Sequence, residues 1–144
     1  MFQNDYLMRM ILQMVQVMQR AMTQMKEDPE QTAAELERVI GEAVDIEGDL
    51  FFSLAPESMV SMLQIGNFDE QLGGYVIRSI YYEAELLEKA GHTQRADLRR
   101  AQADAVAKAY GYDITPADLQ PEALSAYFSD EEDPEEGSDE DQAI

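Results

Sequence analysis

The segment Tyr6-Leu7-Met8-Arg9-Met10-Ile11-Leu12-Gln13-Met14-Val15-Gln16-Val17-Met18-Gln19-Arg20-Ala21-Met22-Thr23-Gln24-Met25 has thirteen apolar residues in twenty, six of them methionine. Leu7, Ile11, Met14, Met18, Ala21 and Met25 recur at alternating spacings of four and three, the period that holds side chains on one face of an α-helix. Met8, Val15 and Met22 widen that face on one side, and Met10 and Val17 on the other. An arc of roughly 200° therefore asks for cover, more than an ordinary surface helix presents. Arg9, Gln13, Gln16, Arg20 and Thr23 form the narrower solvent stripe. Methionine fills irregular gaps in helical cores, so Met14 and Met18, in the middle of the arc, are expected to be core. The polar residues interrupt the apolar run before it reaches the length of a membrane span. Asp5 stands where a signal peptide would carry a basic region, so a mature, cytoplasmic start is expected.

Outward from this helix the chain is punctuated by caps. Asn4 or Asp5 is expected to cap its start, and it should end near Glu27. Asp28-Pro29-Glu30-Gln31 places an acceptor at the N-cap, proline at the first helical position and glutamine at the third. A second helix to about Val44, with Ala33, Leu36, Ile40 and Ala43 inward, would fold back on the first as an antiparallel hairpin. From Asp45 to Leu54 the period is lost, and Phe51 and Phe52 are expected to pin a loop. Asp45, Glu47 and Asp49 alternate there like calcium ligands, but the glycine and closing glutamate of an EF-hand loop are not in place.

A third helix should open at Pro56 and stop at a left-handed Gly66. Asn67 and Glu70 would cap a fourth that runs to about Ala90, with Val76, Ile77, Ile80, Ala84 and Leu87 as its stripe. Gly73 and Gly74 in its first turns imply a late start or a close neighbour. Gly91 ends it, and Thr93 would cap a fifth helix with Leu98, Ala101, Ala105, Ala109 and Tyr112 inward. Thr115, Pro116 and Asp118 repeat the cap, proline and acid pattern ahead of Pro121. Leu119, Leu124, Tyr127 and Phe128 should dock that last segment. The expectation is all-α: a single globular domain of five to six helices over residues 1–128, with the Met-rich helix at its centre.

Ten basic residues face thirty acidic ones, a net charge of −20; nine of the acids follow Phe128, which leaves residues 1–128 with an excess of eleven. A field of that sign repels phosphate backbones and anionic lipid, so neither nucleic acid nor membrane is an expected partner. Residues 129–144 are acidic, hold Pro134 and Gly137 and have no large apolar residue before Gln142, the composition of a disordered acidic tail. Absent cysteine rules out disulfides, thiolate ligands and a cysteine nucleophile.

The segment from Ile80 to Lys108 resembles one tetratricopeptide-type helical hairpin: Ala84 at the small position of its first helix, Gly91 at the turn, Ala96 and Ala103 on its second. Arg100 stands where such repeats place an aromatic residue, and no second copy follows at about 34 residues. Phe2-Gln3-Asn4-Asp5-Tyr6-Leu7-Met8-Arg9-Met10-Ile11 and Tyr82-Glu83-Ala84-Glu85, with the helix after them, resemble an uncharacterised bacterial all-helical family, a domain of unknown function with an N-terminal Asp-Tyr-x-Met-Arg segment. The resemblance implies a bacterial, intracellular, all-helical protein and carries no implication about activity.

Chemistry is sparse. His92 is the single histidine and reads as a turn residue; with no cysteine, no nucleophile-base pair and no phosphate-cradling loop, no catalytic residue, cofactor or metal is expected. Glu83, Glu85 and Glu88 read as a charged helix face. Arg95, Arg99 and Arg100 form the basic cluster and are expected to pair with Glu85, Glu88 or Asp104. A protein-interaction module without catalytic activity is the leading expectation, with Tyr75, Tyr82, Arg95, Arg99 and Arg100 as candidate binding surface. Where the wide face of the first helix is left open, a second copy in a homodimer is the expected cover. The alternatives are an enzyme or small-molecule binder with a pocket at Gly73, Gly74 and Tyr75, and an acidic nucleic-acid mimic.

Overall fold

The structure, a computed structural model, describes residues 2–24 and 28–129. Expectations that rest on Met25, on a helix end near Glu27 or on the acidic stretch after Ser129 lie outside those residues. Among the described residues the chain is all-α: α1 (Phe2–Gln24), α2 (Pro29–Val44), α3 (Gly48–Phe52), α4 (Pro56–Ile65), α5 (Gly73–Lys89), α6 (Thr93–Tyr110) and α7 (Pro121–Tyr127), with 3-10 turns at Glu70–Leu72 and Pro116–Leu119.

The helix at the centre is α5, not α1. It packs along α6 and α2 and touches α1 and both 3-10 turns. Val76, Ile77, Ile80, Ala84, Leu86 and Leu87 are each 0% exposed. The Met-rich helix instead lies on the outer side of α2. Gln13 Nε2 donates to Glu42 at 2.7 Å and Arg20 Nη2 to Glu35 at 2.8 Å, pairings that run in opposite directions along the two helices and so fix them antiparallel. Met14 and Met18 are core, as their place in the arc requires, at 1% and 0% exposure.

Several caps are where the residues put them. Asp28 Oδ1 accepts from Gln31 N at 3.1 Å, and Thr115 with Asp118 closes a capping box. Others move. The first helix already includes Phe2, so Asn4 and Asp5 lie inside it and not at its N-cap. Asp69, not Asn67, accepts from the Gln71 amide ahead of α5. His92 rather than Thr93 occupies the N-cap of α6, and Gly66 is extended at φ −92°, not left-handed. The segment read as a loop holds α3, a single helical turn pressed onto α2. A Cβ on Gly41 would stand 2.7 Å from Ile46 O and one on Gly48 2.7 Å from Glu37 O, so only glycines allow these backbones to meet.

The inward face of α6 is also rotated from its expected position. Ala101 and Ala109 are exposed, and Leu98 and Ala105 only half-buried. Ala96, Arg99, Gln102, Ala103, Val106 and Ala107 are the residues that face the core. Two long polar side chains therefore point inward.

Candidate functional site

Arg99 is 5% exposed, and what it meets inside defines the chemistry of this fold. Its Nε donates to Glu83 Oε2 of α5 at 3.0 Å and its Nη2 to Glu37 Oε2 of α2 at 2.7 Å. Nη1 donates to Gln102 Oε1 and to the Phe52 carbonyl, each at 3.2 Å, while the guanidinium lies 4.6 Å over the Phe52 ring. Gln102 Nε2 completes the set, donating to Phe52 O at 3.2 Å and Leu54 O at 2.8 Å. One side chain thus ties α2, α5, α6 and the α3–α4 connection together. Arg95 adds a looser contact with Glu37 at 3.7 Å from the rim.

The two carboxyls have opposite characters. Burial holds the Glu83 carboxyl well above the usual carboxylate range; hydrogen bonding and repulsion from Glu37 act the same way, and Arg99 only partly opposes them. For Glu37 burial also pushes upward, but hydrogen bonds with Glu83 and Arg99 and the charges of Arg99 and Arg95 outweigh it, and the group ionises below its ordinary range. Within the cluster burial thus favours the neutral form of Glu83, while Glu37 favours its anion, which faces the Arg99 guanidinium. One favoured carboxylate beside one guanidinium limits the uncompensated charge at this depth. Glu83 is 0% exposed, so reading it as part of a charged outer helix face is corrected.

The residues expected to share a binding surface do not. Tyr82 and Arg99 are buried at 7% and 5% exposure. Burial, then the charge of Glu85, pushes the Tyr82 phenol up to about 12. Tyr75 sits near the start of α5, its ring centroid 5.0 Å from that of Tyr127 and 5.9 Å from that of Phe128. Arg95 and Arg100 lie on α6, where Arg100 bonds Glu88 at 2.6 Å and Asp97 at 3.1 Å. Of the expected partners Glu88 pairs, whereas Asp104 takes a hydrogen bond from Tyr81 instead. His92 faces Glu30 at 3.3 Å on the surface.

The space at Gly73 and Gly74 is also taken. A Cβ on Gly73 would stand 2.9 Å from the Tyr112 ring, and one on Gly74 would overlap the Tyr127 hydroxyl. Arg78 stacks 3.8 Å over the Tyr127 ring. The chain's own aromatics fill the room that missing side chains leave, and the expected ligand pocket there is withdrawn.

Exposed large apolar residues include Ile65 at 81% and Leu50 at 47%, and a longer, partly covered apolar stretch lies on α1. Its C-terminal half is covered: Met14, Val15, Val17, Met18 and Ala21 are all buried. In the N-terminal half only Leu7 is; Met8, Met10, Ile11 and Leu12 are half-buried, and Tyr6 is 44% exposed beneath Arg9. Asp5, Met8, Arg9, Leu12, Gln13 and Gln16 line an open groove of about 520 Å³ along it. No described helix is long and apolar enough to cross a membrane. No family model, curated protein or solved structure is matched by this chain.

Proposed function

We propose that the chain is a non-catalytic, helical protein-interaction module whose contact surface is the N-terminal half of α1, and that the partner this surface fits first is a second copy. The observation that carries the reading is the change of cover within one helix. Apolar side chains continue from Met14 back to Tyr6, yet among the described residues the groove along Asp5–Gln16 has no neighbour over it. Charge favours self-pairing there. The chain carries −20 overall, while α1 from Asp5 to Thr23 holds one acid and two bases, and Arg20 is already paired with Glu35. An antiparallel meeting of the Asp5–Gln16 stripes, centred between Met10 and Ile11, is opposed by little like charge. The α5–α6 hairpin, tetratricopeptide-like in its small residues, serves as scaffold.

A contact confined to three helical turns is smaller than the roughly 800 Å² per partner of standard interfaces, so association belongs in the micromolar range or above. Sedimentation equilibrium from 10 to about 500 μM, at moderate salt to screen the net charge, tests it. A monomer–dimer equilibrium abolished by Leu12→Glu supports the reading. A monomer throughout, or a dimer indifferent to Leu12→Glu, refutes it.

A further inference from the structure

Two buried side-chain polar atoms of the described residues have no hydrogen-bond partner: Ser79 Oγ and Glu83 Oε1. Both residues are 0% exposed, and they stand four apart on α5. Four residues along an α-helix bring side chains to one face, with Cβ atoms about 6 Å apart. The two atoms make no hydrogen bond with each other, and one oxygen placed between them would bond to both. Neighbouring polar groups are occupied, since Arg99 and Gln102 spend their donors on Glu37, Glu83, Phe52 O and Leu54 O.

From this placement we infer that α5 carries an internal site for one water molecule, held between Ser79 Oγ and Glu83 Oε1. Water suits the pair because it donates and accepts at once, as does a hydroxyl, and a buried water is held by two to four such groups. A metal ion does not suit it. Two oxygens are too few for an alkali or alkaline-earth cation, and the same carboxyl already faces the Arg99 guanidinium at 3.0 Å. A dry arrangement would leave two desolvated groups one turn apart, each of which would lower the folding constant by about tenfold. The dry competitor is a Ser79 hydroxyl turned onto the carbonyl one turn back along its own helix.

The test needs no variant at first. Protein–water cross-relaxation NMR on the wild-type chain should show a long-lived water at the Ser79 β-protons, with the sign of a rigidly held molecule. Ser79→Ala should remove that signal and lower the folding constant about five- to tenfold, because the water loses an anchor. Absence of a long-lived water in the wild-type chain would overturn the site. So would a Ser79→Ala variant as stable as the parent or more so, the result expected when a dry hydroxyl is removed. Melting that depends on which alkali cation is present at fixed ionic strength would point to a cation and overturn it equally.

Discussion

Replacing Arg99 by methionine asks how much of this fold rests on one side chain. Methionine keeps the length and the apolar stem, so the change removes the guanidinium alone. Four groups lose a donor: Glu83, Glu37, Gln102 Oε1 and Phe52 O. They do not lose equally. Phe52 O keeps Gln102 Nε2 at 3.2 Å, and Glu37 keeps Arg95 at 3.7 Å. Glu83, whose burial favours the neutral acid, loses less than Glu37 does. Gln102 Oε1 and most of the Glu37 charge are stranded. Removing one partner of a buried ion pair costs about 3 to 5 kcal/mol, and the partial rescue by Arg95 places Arg99→Met at the lower end, about 3 kcal/mol. That is a large share of the 5 to 15 kcal/mol typical of a domain. Urea unfolding followed by far-ultraviolet circular dichroism at pH 7 measures it. Glu37→Leu made with Arg99→Met should recover about 1 to 2 kcal/mol of the sum of the single changes, since the two share one interaction. A loss below about 1 kcal/mol, or strict additivity, would show that Arg99 is solvated and that the network does not join these helices.

The remaining predictions concern pH and packing. Glutamine mimics the neutral acid, so Glu83→Gln should be near neutral at pH 5. Because the folded pKa of Glu83 is raised, its contribution is complete below the ordinary carboxylate value and lost as pH rises toward the folded one; the parent should therefore lose stability relative to Glu83→Gln as pH rises above the ordinary carboxylate range, by up to about 1.4 kcal/mol per pH unit. Parallel stability profiles for the two chains would refute it. Gly74→Ala should cost about 1 to 3 kcal/mol through overlap with the Tyr127 hydroxyl. Tyr127→Phe in the same chain should return part of that loss, and an unchanged melting temperature in Gly74→Ala alone would mean that the ring moves aside freely.

The caps at Asp28 and Thr115, the α5–α6 hairpin and the burial of Met14 and Met18 could all be read from residues within one or two turns of each other, where propensity and period act. What could not be read acts at a distance. Glu37 and Arg99 are 62 positions apart, and no local pattern links them. Without that link Arg99 and Gln102 look like solvent residues, the inward stripe of α6 is assigned to its alanines, and the face comes out rotated. The five residues of α3 are too few to show a period. The covered and open halves of α1 carry the same apolar pattern, and only the position of α2 distinguishes them. The pocket expected at Gly73 and Gly74 failed for a related reason, since the rings that fill it come from Tyr112 and Tyr127.

The short length of α3 also explains why polar side chains sit in this core at all. A helix leaves its last four carbonyls without intrahelical partners, and in a helix of five residues that is nearly all of them. Ser53 N reaches Leu50 O at 3.1 Å, but Phe52 O, the last carbonyl of α3, and Leu54 O, two residues beyond it in the connection to α4, meet side chains of α6, whose backbone donors are committed to its own helix. Leaving both carbonyls unpaired and buried would cost about 1 to 3 kcal/mol each. Side chains on α6 must therefore bring donors, and two donor-rich residues three apart, Arg99 and Gln102, do so from one face. A guanidinium in that place needs an anion, which Glu37 supplies from α2, beside the point where Gly48 meets the Glu37 carbonyl. Glu83 then adds an acceptor from α5, where burial favours its neutral form over a second charge. Arg99, Gln102 and Glu37 thus follow in turn from two carbonyls, one at the end of α3 and one in the connection just beyond it.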